Sequence, residues 1–210
     1  MPGLIGRKIG MTQIFDEDGK AVGVTVLEVG PCPVVQLKTE ATDGYTAVQL
    51  GFGRKRDQAV RKPQAGHVAK AGVDHVPEVL AEFDYAGYEG EELEMGRELT
   101  LEDVFEVGEK VKITGSTKGR GFQGVVKRHG FGGGRASHGG KSTLRKPGSI
   151  GAGTDPSRVI KGLKMAGQMG GKVRTAMSRK IIKIDADRNL LMVRGSVPGA
   201  RNNIVLVRSA

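Results

Sequence analysis

The 210-residue sequence has no tryptophan and a single cysteine, and aromatic residues make up only 4% of it. Because Cys32 stands alone, neither an intramolecular disulfide nor a cysteine-rich zinc site can form, and we expect a lone buried thiol. No apolar run approaches the ~20 residues of a membrane-spanning helix, and the chain does not begin with the apolar stretch of a secretory signal. We therefore expect a soluble, intracellular protein with no membrane partner.

Acidic residues are almost absent from one part of the chain. Residues 115–180 contain fifteen basic side chains and one acidic side chain, Asp155. Their charge balance is +14, against −7 for residues 1–114 and +3 for residues 181–210, which gives a formal net charge of +10. Half of the 34 glycines also lie in residues 115–180. This distribution indicates a large anionic partner, either nucleic acid or an anionic membrane surface.

Large apolar side chains are also scarce in this basic region. Between residues 127 and 158 there are only three, Phe131, Leu144 and Ile150. Their burial is too small to offset the ordering entropy of the segment, so we predict that it is extended or disordered on its own. The membrane alternative is disfavoured, because no basic amphipathic helix can run through so many glycines. A solvated basic loop with no partner remains the simplest alternative.

The flanking regions show short alternating strands separated by turns. This pattern predicts a mainly β protein built on a closed or nearly closed β-barrel. A helix is predicted at residues 77–83, starting from Pro77, and a hairpin turn at residues 185–189. Strands are predicted at residues 9–15, 22–29, 34–38, 45–52, 110–113, 181–184, 190–194 and 204–207.

Three domains follow from this reading. The barrel comprises residues 1–53, 107–120 and 172–210. A small mixed α/β subdomain is inserted at residues 54–106, and a long extended Gly/Lys/Arg-rich loop occupies residues 121–171.

Several short motifs resemble catalytic or cofactor sites without completing them. GRGFQG at residues 119–124 matches G-x-G-x-x-G, but we expect no helix after it, and no acidic residue occurs before Asp155 to bind a ribose. GKS at residues 140–142 lacks the first glycine of a P-loop, and Ser137-His138 has no carboxylate nearby to orient the imidazole. The four histidines show no metal-ligand spacing. A nucleotide-dependent enzyme is therefore the weaker alternative, and we predict no catalytic residue, metal or cofactor.

The basic loop is suited to binding RNA. Its cations recur every few residues, as phosphate contacts along a backbone would, and glycines allow close approach of the main chain to the sugar-phosphate. We also expect His129 and His138 to stack on bases. The predicted phosphate contacts are Lys118, Arg120, Lys127, Arg128, Arg135, Lys141, Arg145, Lys146, Arg158, Lys161 and Lys164.

Motifs along the whole chain resemble those of one family. They are GLIGRKIGMTQIF at residues 3–15, GPCPVVQ at 30–36, DGYTAVQLGF at 43–52, TGSTKGRGFQGVVKRH at 114–129, SHG at 137–139, RKPGSIG at 145–151, KGLKMAGQMG at 161–170 and VPGA at 197–200. In this order they resemble the bacterial form of the universal large-subunit ribosomal protein L3 family (uL3). Ala152 stands where many bacterial relatives have a methylated glutamine, so we expect that modification to be absent.

The resemblance implies a translation-protein-like β-barrel whose central loop reaches through large-subunit rRNA toward the peptidyl-transferase centre. It also implies an early role in subunit assembly, a cytoplasmic location within the large subunit, and neighbouring ribosomal proteins as further partners. No small-molecule substrate is implied. Arg7, Lys8, Lys172 and Arg174 would add rRNA contacts nearer the barrel, and the run of cations at residues 54–62 is a further candidate.

Overall fold

The computed structural model describes residues 2–16, 18–88 and 93–210. They form two compact units. The first contains the residues up to 116 together with 173–210, and the second, which we call the basic unit, contains residues 117–172. All members of the main hydrophobic core cluster belong to the first unit. The described part of the chain includes no helix with the length and apolar content needed to cross a membrane.

The chain is mainly β, as the sequence predicts. In chain order its elements are β1 (Gly3–Phe15), β2 (Ala21–Val29), β3 (Cys32–Lys38), α1 (Glu40–Asp43), β4 (Ala47–Phe52), α2 (Lys62–Ala69), β5 (Val79–Asp84), β6 (Glu98–Leu99), α3 (Leu101–Val104), β7 (Lys110–Ser116), β8 (Phe122–Gln123), α4 (Val125–His129), β9 (Gly167–Gln168), β10 (Val173–Asp185), β11 (Leu190–Arg194) and β12 (Ile204–Ser209). Short 3₁₀ turns occur at Asp57–Ala59 and Tyr85–Tyr88.

Six antiparallel strands close into the predicted β-barrel. Their order is β1, β12, β7, β10, β11, β2, and β2 pairs again with β1. Strand residues alternate between the inside and the outside of the barrel, so that Val111 and Ile113 of β7 are buried while Lys110 is exposed. Leu191 of β11 is likewise buried opposite Leu27 of β2. The predicted hairpin turn lies between the end of β10 and the start of β11.

The strands within residues 32–52 do not belong to the barrel, although the sequence analysis included them in its 1–53 segment. β3 and β4 instead form a second sheet with β5 and β6, in the order β5, β4, β3, β6. The six barrel strands already close on one another, so no free edge remains to which β3 could pair. The two added strands come from the predicted insertion, residues 54–106, and they lie in the same compact unit as the barrel.

The helix predicted at residues 77–83 is wrong. This segment is β5, and it pairs antiparallel with β4, with Phe83 opposite Val48 and Ala81 opposite Leu50. The proline at its start and the short apolar run suit either a helix or a strand. The strand is favoured because β5 pairs with the edge of β4 that β3 leaves open. Backbone N–H and C=O groups left unpaired at a buried edge would be costly.

Cys32 is the buried thiol that the sequence predicts. It lies at the start of β3 with no exposed surface, and its Sγ is 3.5 Å from the carbonyl oxygen of Ile5. Burial raises the pKa of the Cys32 thiol to about 12. The thiol therefore stays protonated at neutral pH and acts as a small apolar core side chain.

Phe83 allows a test of the strand at residues 79–84. Its ring is 2% exposed and occupies the space that a Cβ on Gly3 would need. Leu80, three residues earlier, is 41% exposed. In a helix these two side chains would share a face, whereas in a strand they point to opposite faces. We expect Phe83→Ala to lower the free energy of unfolding by about 3–5 kcal/mol and Leu80→Ala by about 1 kcal/mol or less. Urea denaturation measures both, and equal losses would contradict the strand.

Candidate nucleic-acid interface

The basic unit concentrates positive charge without neutralising it internally. Its residues 117–172 include twelve Lys and Arg side chains and one acidic side chain, Asp155. All residues of this unit are described, and none of the twelve cations forms an ion pair with a described carboxylate. Their charges are therefore available to an external anion.

A short ladder of backbone hydrogen bonds forms the base of the unit. Thr117 N–H donates to the Lys172 carbonyl at 2.9 Å, and Arg120 N–H donates to the Met169 carbonyl at 2.8 Å. The Met169 N–H in turn donates to the carbonyl of Gly121 at 3.0 Å. β8 and β9 then pair antiparallel, with Phe122 opposite Gln168. The two arms of the unit are thereby held in register without a hydrophobic core of their own.

The five-residue helix α4 fixes the two arms at a second point. Val125 at its start is 3% exposed. From its last turn, Arg128 donates from Nη1 to the carbonyl oxygen of Met165 at 2.5 Å, and His129 Nε2 lies 3.0 Å from the same oxygen. Gly130 ends the helix at a φ of +77°. Arg128 and His129 are both half-buried, so the structure gives them an anchoring role inside the unit, beside the RNA contacts that the sequence predicted for them.

Beyond this anchor the chain is fully open to solvent. Every residue from 132 to 166 is exposed, including Leu144 at 48% and Ile150 at 47%. A few backbone hydrogen bonds give local turns, such as Gly134 N–H to the Leu144 carbonyl at 3.1 Å and Lys146 N–H to the Thr143 carbonyl at 3.1 Å. The segment is thus extended, with local turns and no packed core.

Most of the predicted contact residues have exposed side chains. The exposed ones are Lys118, Arg120, Lys127, Arg135, His138, Lys141, Arg145, Lys146, Arg158, Lys161, Lys164, Lys172 and Arg174. Twelve of these thirteen belong to the basic unit, and Arg174 lies in β10. The structure therefore leaves their charged groups accessible, which a phosphate contact requires.

Lys8 has the opposite environment. It is 7% exposed, and its Nζ donates to the carbonyl oxygens of Val197 at 2.8 Å and Gly199 at 3.4 Å. Its ammonium is therefore held by carbonyls of the connection between β11 and β12, which leaves it little exposed surface for the RNA contact that the sequence predicts. Sequence spacing could not reveal this burial, because the two carbonyl acceptors are distant along the chain.

Arg7 is only partly available. Its Nη2 forms an ion pair with Glu78 at 2.7 Å, and its guanidinium lies 5.9 Å from the ring centre of Phe52. In the nearby run of cations, Arg54 lies 3.7 Å from Asp57, and Lys55 donates to Gln64 at 3.0 Å. The carboxylates of Glu78 and Asp57 therefore offset the charges of Arg7 and Arg54.

The cofactor-like motif remains incomplete in three dimensions. Contrary to the expectation, a helix does follow GRGFQG, but α4 ends after five residues. The strand before the motif, β7, pairs antiparallel with β10 and β12, and the two-residue strand β8 within the motif pairs antiparallel with β9. Asp155 is the only acid in the unit, so a ribose hydroxyl has no other carboxylate partner there. Among the described residues there is also no group of three or more His, Cys, Asp or Glu side chains that could hold a metal.

Sequence reasoning did not assign Phe122 as a site residue. Phe122 is 76% exposed, more than any other large apolar residue among the described residues. The available signal was its position in a run of glycines and cations at residues 119–124. An aromatic ring in such a run has few apolar neighbours that could cover it.

Two adjacent glycines, Gly132 and Gly133, allow a test of the turn in this exposed segment. Gly133 has a φ of +77°, and a Cβ there would collide with the Leu144 carbonyl oxygen, whereas a Cβ on Gly132 would meet nothing within 4 Å. We expect Gly133→Ala to destabilise this turn by about 1–2 kcal/mol and to speed limited proteolysis there by a factor of about 5–30. Gly132→Ala is the matched control and should leave proteolysis of the free protein unchanged. Equal rates for both variants would contradict the turn.

Comparisons with known proteins agree with the resemblance drawn from the motifs. The family model described as ribosomal protein L3 matches residues 57–189. The large ribosomal subunit protein uL3 of Leptospira biflexa is 52% identical over 205 residues, covering 98% of this chain and 97% of the relative. Those of Cupriavidus taiwanensis and a Synechococcus species are each 49% identical over 208 residues, covering 99% of this chain and 95% and 93% of the relatives. The chain belongs to the ribosomal protein L3 family.

Proposed function

We propose that the chain is a structural constituent of the large ribosomal subunit and that its basic unit binds large-subunit rRNA directly. The observation that carries this proposal is the stretch 132–166, where every residue is exposed and seven side chains are Lys or Arg. Relatives that are 52% and 49% identical over almost the whole chain are named as large-subunit proteins, which supports the same role.

An external anion would relieve the charge repulsion within this stretch. The seven positive charges repel one another, and Asp155 is the single acidic side chain in the stretch. The stretch buries no apolar surface that could compensate for this repulsion. Contacts with a polyphosphate remove this repulsion and release condensed counterions. Folded RNA also offers grooves and unstacked bases that an extended chain can follow.

An anionic membrane fits the unit less well than RNA. Membrane-surface binding needs an amphipathic helix with a continuous apolar face. The only helix in residues 117–172 is α4, which has five residues and buries Val125 within the protein. The exposed apolar side chains Leu144, Ile150 and Ile160 lie in extended chain with no common helical face.

The family resemblance supports finer proposals. We infer that the protein works in the cytoplasm within the large subunit, beside neighbouring ribosomal proteins, and that it joins the subunit early in assembly. The basic unit would extend through rRNA toward the peptidyl-transferase centre. The role is structural and requires no cofactor, metal or small-molecule substrate.

Salt dependence tests direct rRNA binding. Removing one phosphate-binding cation lowers the slope of log affinity against log salt by about 0.7–0.9. We expect the triple change of Lys141, Arg145 and Lys146 to glutamine to weaken binding to a large-subunit rRNA transcript and to reduce the slope by about 2–3. The matched control changes three exposed cations of the barrel, Lys183→Gln, Arg188→Gln and Arg194→Gln. Equal slopes for the two variants would contradict an interface in the basic unit.

Replacing the exposed segment tests its role in the subunit. Arg128 and His129 both reach the Met165 carbonyl, so a linker of about four residues, ~13 Å long, can join residue 130 to residue 164. We expect this variant to keep the stability of the first unit, because the main core cluster lies there. It should enter large subunits poorly or slow peptide-bond formation in those that assemble, measured by sedimentation and single-turnover kinetics.

The control for this replacement keeps residues 131–163 at the same length and composition but in shuffled order. It retains the charge and loses the placement of glycines and side chains. If this control partly restores assembly or the rate of peptide-bond formation, the restored part depends on charge alone and the remainder on the order of the residues. Normal assembly and a normal rate with the short linker would show that the segment is dispensable.

A further inference from the structure

We propose that Phe122 is a stacking platform for an unpaired nucleobase of the bound RNA. The inference rests on the proposed function, since it names one contact within the same interface. Its starting point is the 76% exposure of Phe122, an aromatic residue in a paired strand within a run of glycines and cations.

The backbone beneath this ring is held on both sides. Phe122 belongs to β8 and lies opposite Gln168 of β9. Just before it, Arg120 N–H donates to the Met169 carbonyl at 2.8 Å, and Met169 N–H donates to the Gly121 carbonyl at 3.0 Å. Just after it, Gln123 donates from Nε2 to the Arg120 carbonyl at 2.5 Å. The ring is therefore presented from an ordered position, which reduces the entropy cost when a ligand binds.

The charges around the ring indicate the chemistry of its ligand. Lys118 and Arg120, on the same arm, are both exposed and form no ion pair with a described residue. The single acid of the unit, Asp155, is more than thirty residues away along the chain. A ligand that combines a flat apolar face with a nearby negative charge suits this surface, and an unstacked nucleotide has both.

The other rings of the basic unit are less suited to this contact. His129 lies against the Met165 carbonyl, and Phe131 is half-buried with its ring centre 6.0 Å from that of His129. His138 is exposed, but it lies at a φ of +55° in the stretch 132–166, which contains no strand. Only Phe122 combines a held backbone with an accessible ring face.

Tryptophan fluorescence gives a direct test, because the natural sequence contains no tryptophan. In Phe122→Trp the emission comes from this one position. We expect a large-subunit rRNA transcript to quench and shift it, since stacking brings a base against the indole. The control is Phe15→Trp in β1, where the ring is similarly exposed at 70% but lies beside Asp16. Its emission should not change on RNA addition.

Affinity measurements on the full chain complete the test. We expect Phe122→Ala to weaken rRNA binding by about 5- to 100-fold, with an unchanged salt slope because no charge is removed. Phe122→Tyr, which keeps the ring, should bind within about 2-fold of the natural protein. A fully paired RNA duplex offers no free base face, so its affinity should not respond to Phe122→Ala.

The outcomes distinguish this inference from the proposed function. If the natural protein binds the transcript with a steep salt slope, but Phe122→Ala binds equally well and the Phe122→Trp emission stays constant, the stacking contact is refuted and rRNA binding stands. A loss on the duplex equal to that on the transcript would also refute stacking. If the natural protein binds neither RNA, both proposals fail together.

Discussion

The antiparallel pairing of β7 with β10 is the constraint on which the rest of the structure depends. It closes one wall of the barrel and places Ser116 opposite Val173, so the chain leaves and re-enters the barrel wall at adjacent residues. Within the basic unit, the Thr117–Lys172 hydrogen bond and the pairing of β8 with β9 hold the two ends of the unit together. A long segment without a core can therefore be tolerated, because its ends are paired and the main apolar core forms in the other unit.

The cations of the chain divide into two groups that the sequence cannot distinguish. Lys8, bound to the Val197 and Gly199 carbonyls, and Arg128, bound to the Met165 carbonyl, contribute to the protein's own structure. Lysines and arginines such as Lys141 and Arg145 are exposed and lack a described acidic partner. Removing Lys8 takes the ammonium donor from the buried Val197 carbonyl, and removing Arg128 breaks a contact between the two arms of the basic unit. Removing a member of the second group changes mainly the interaction with an anion.

The sequence predicted the barrel and the exposed basic segment, because both depend on local patterns. Alternation in Lys110–Ser116 and Leu190–Arg194 indicates strands without knowledge of their partners, and the lack of apolar residues around Leu144 and Ile150 excludes a core. The errors arose where the result depends on distant residues. Val79–Asp84 became a strand because β4 offers it an edge, and β3 left the barrel because six other strands close it. The burial of Lys8 could not be predicted either, because its acceptors, Val197 and Gly199, are distant in sequence.

In the proposed complex with rRNA, affinity and selectivity would have different sources within the basic unit. The open stretch 132–166 supplies most of the charge, but it must be ordered on binding, and that entropy cost lowers the net affinity that each phosphate interaction provides. Phosphate contacts also carry little information about RNA sequence or shape. The base of the unit, with β8, β9 and α4, is already held by hydrogen bonds, so side chains there contact a ligand without a comparable ordering cost. Selection of one folded RNA over another should therefore depend most on this small ordered base, and strength of binding on the exposed cations beyond it.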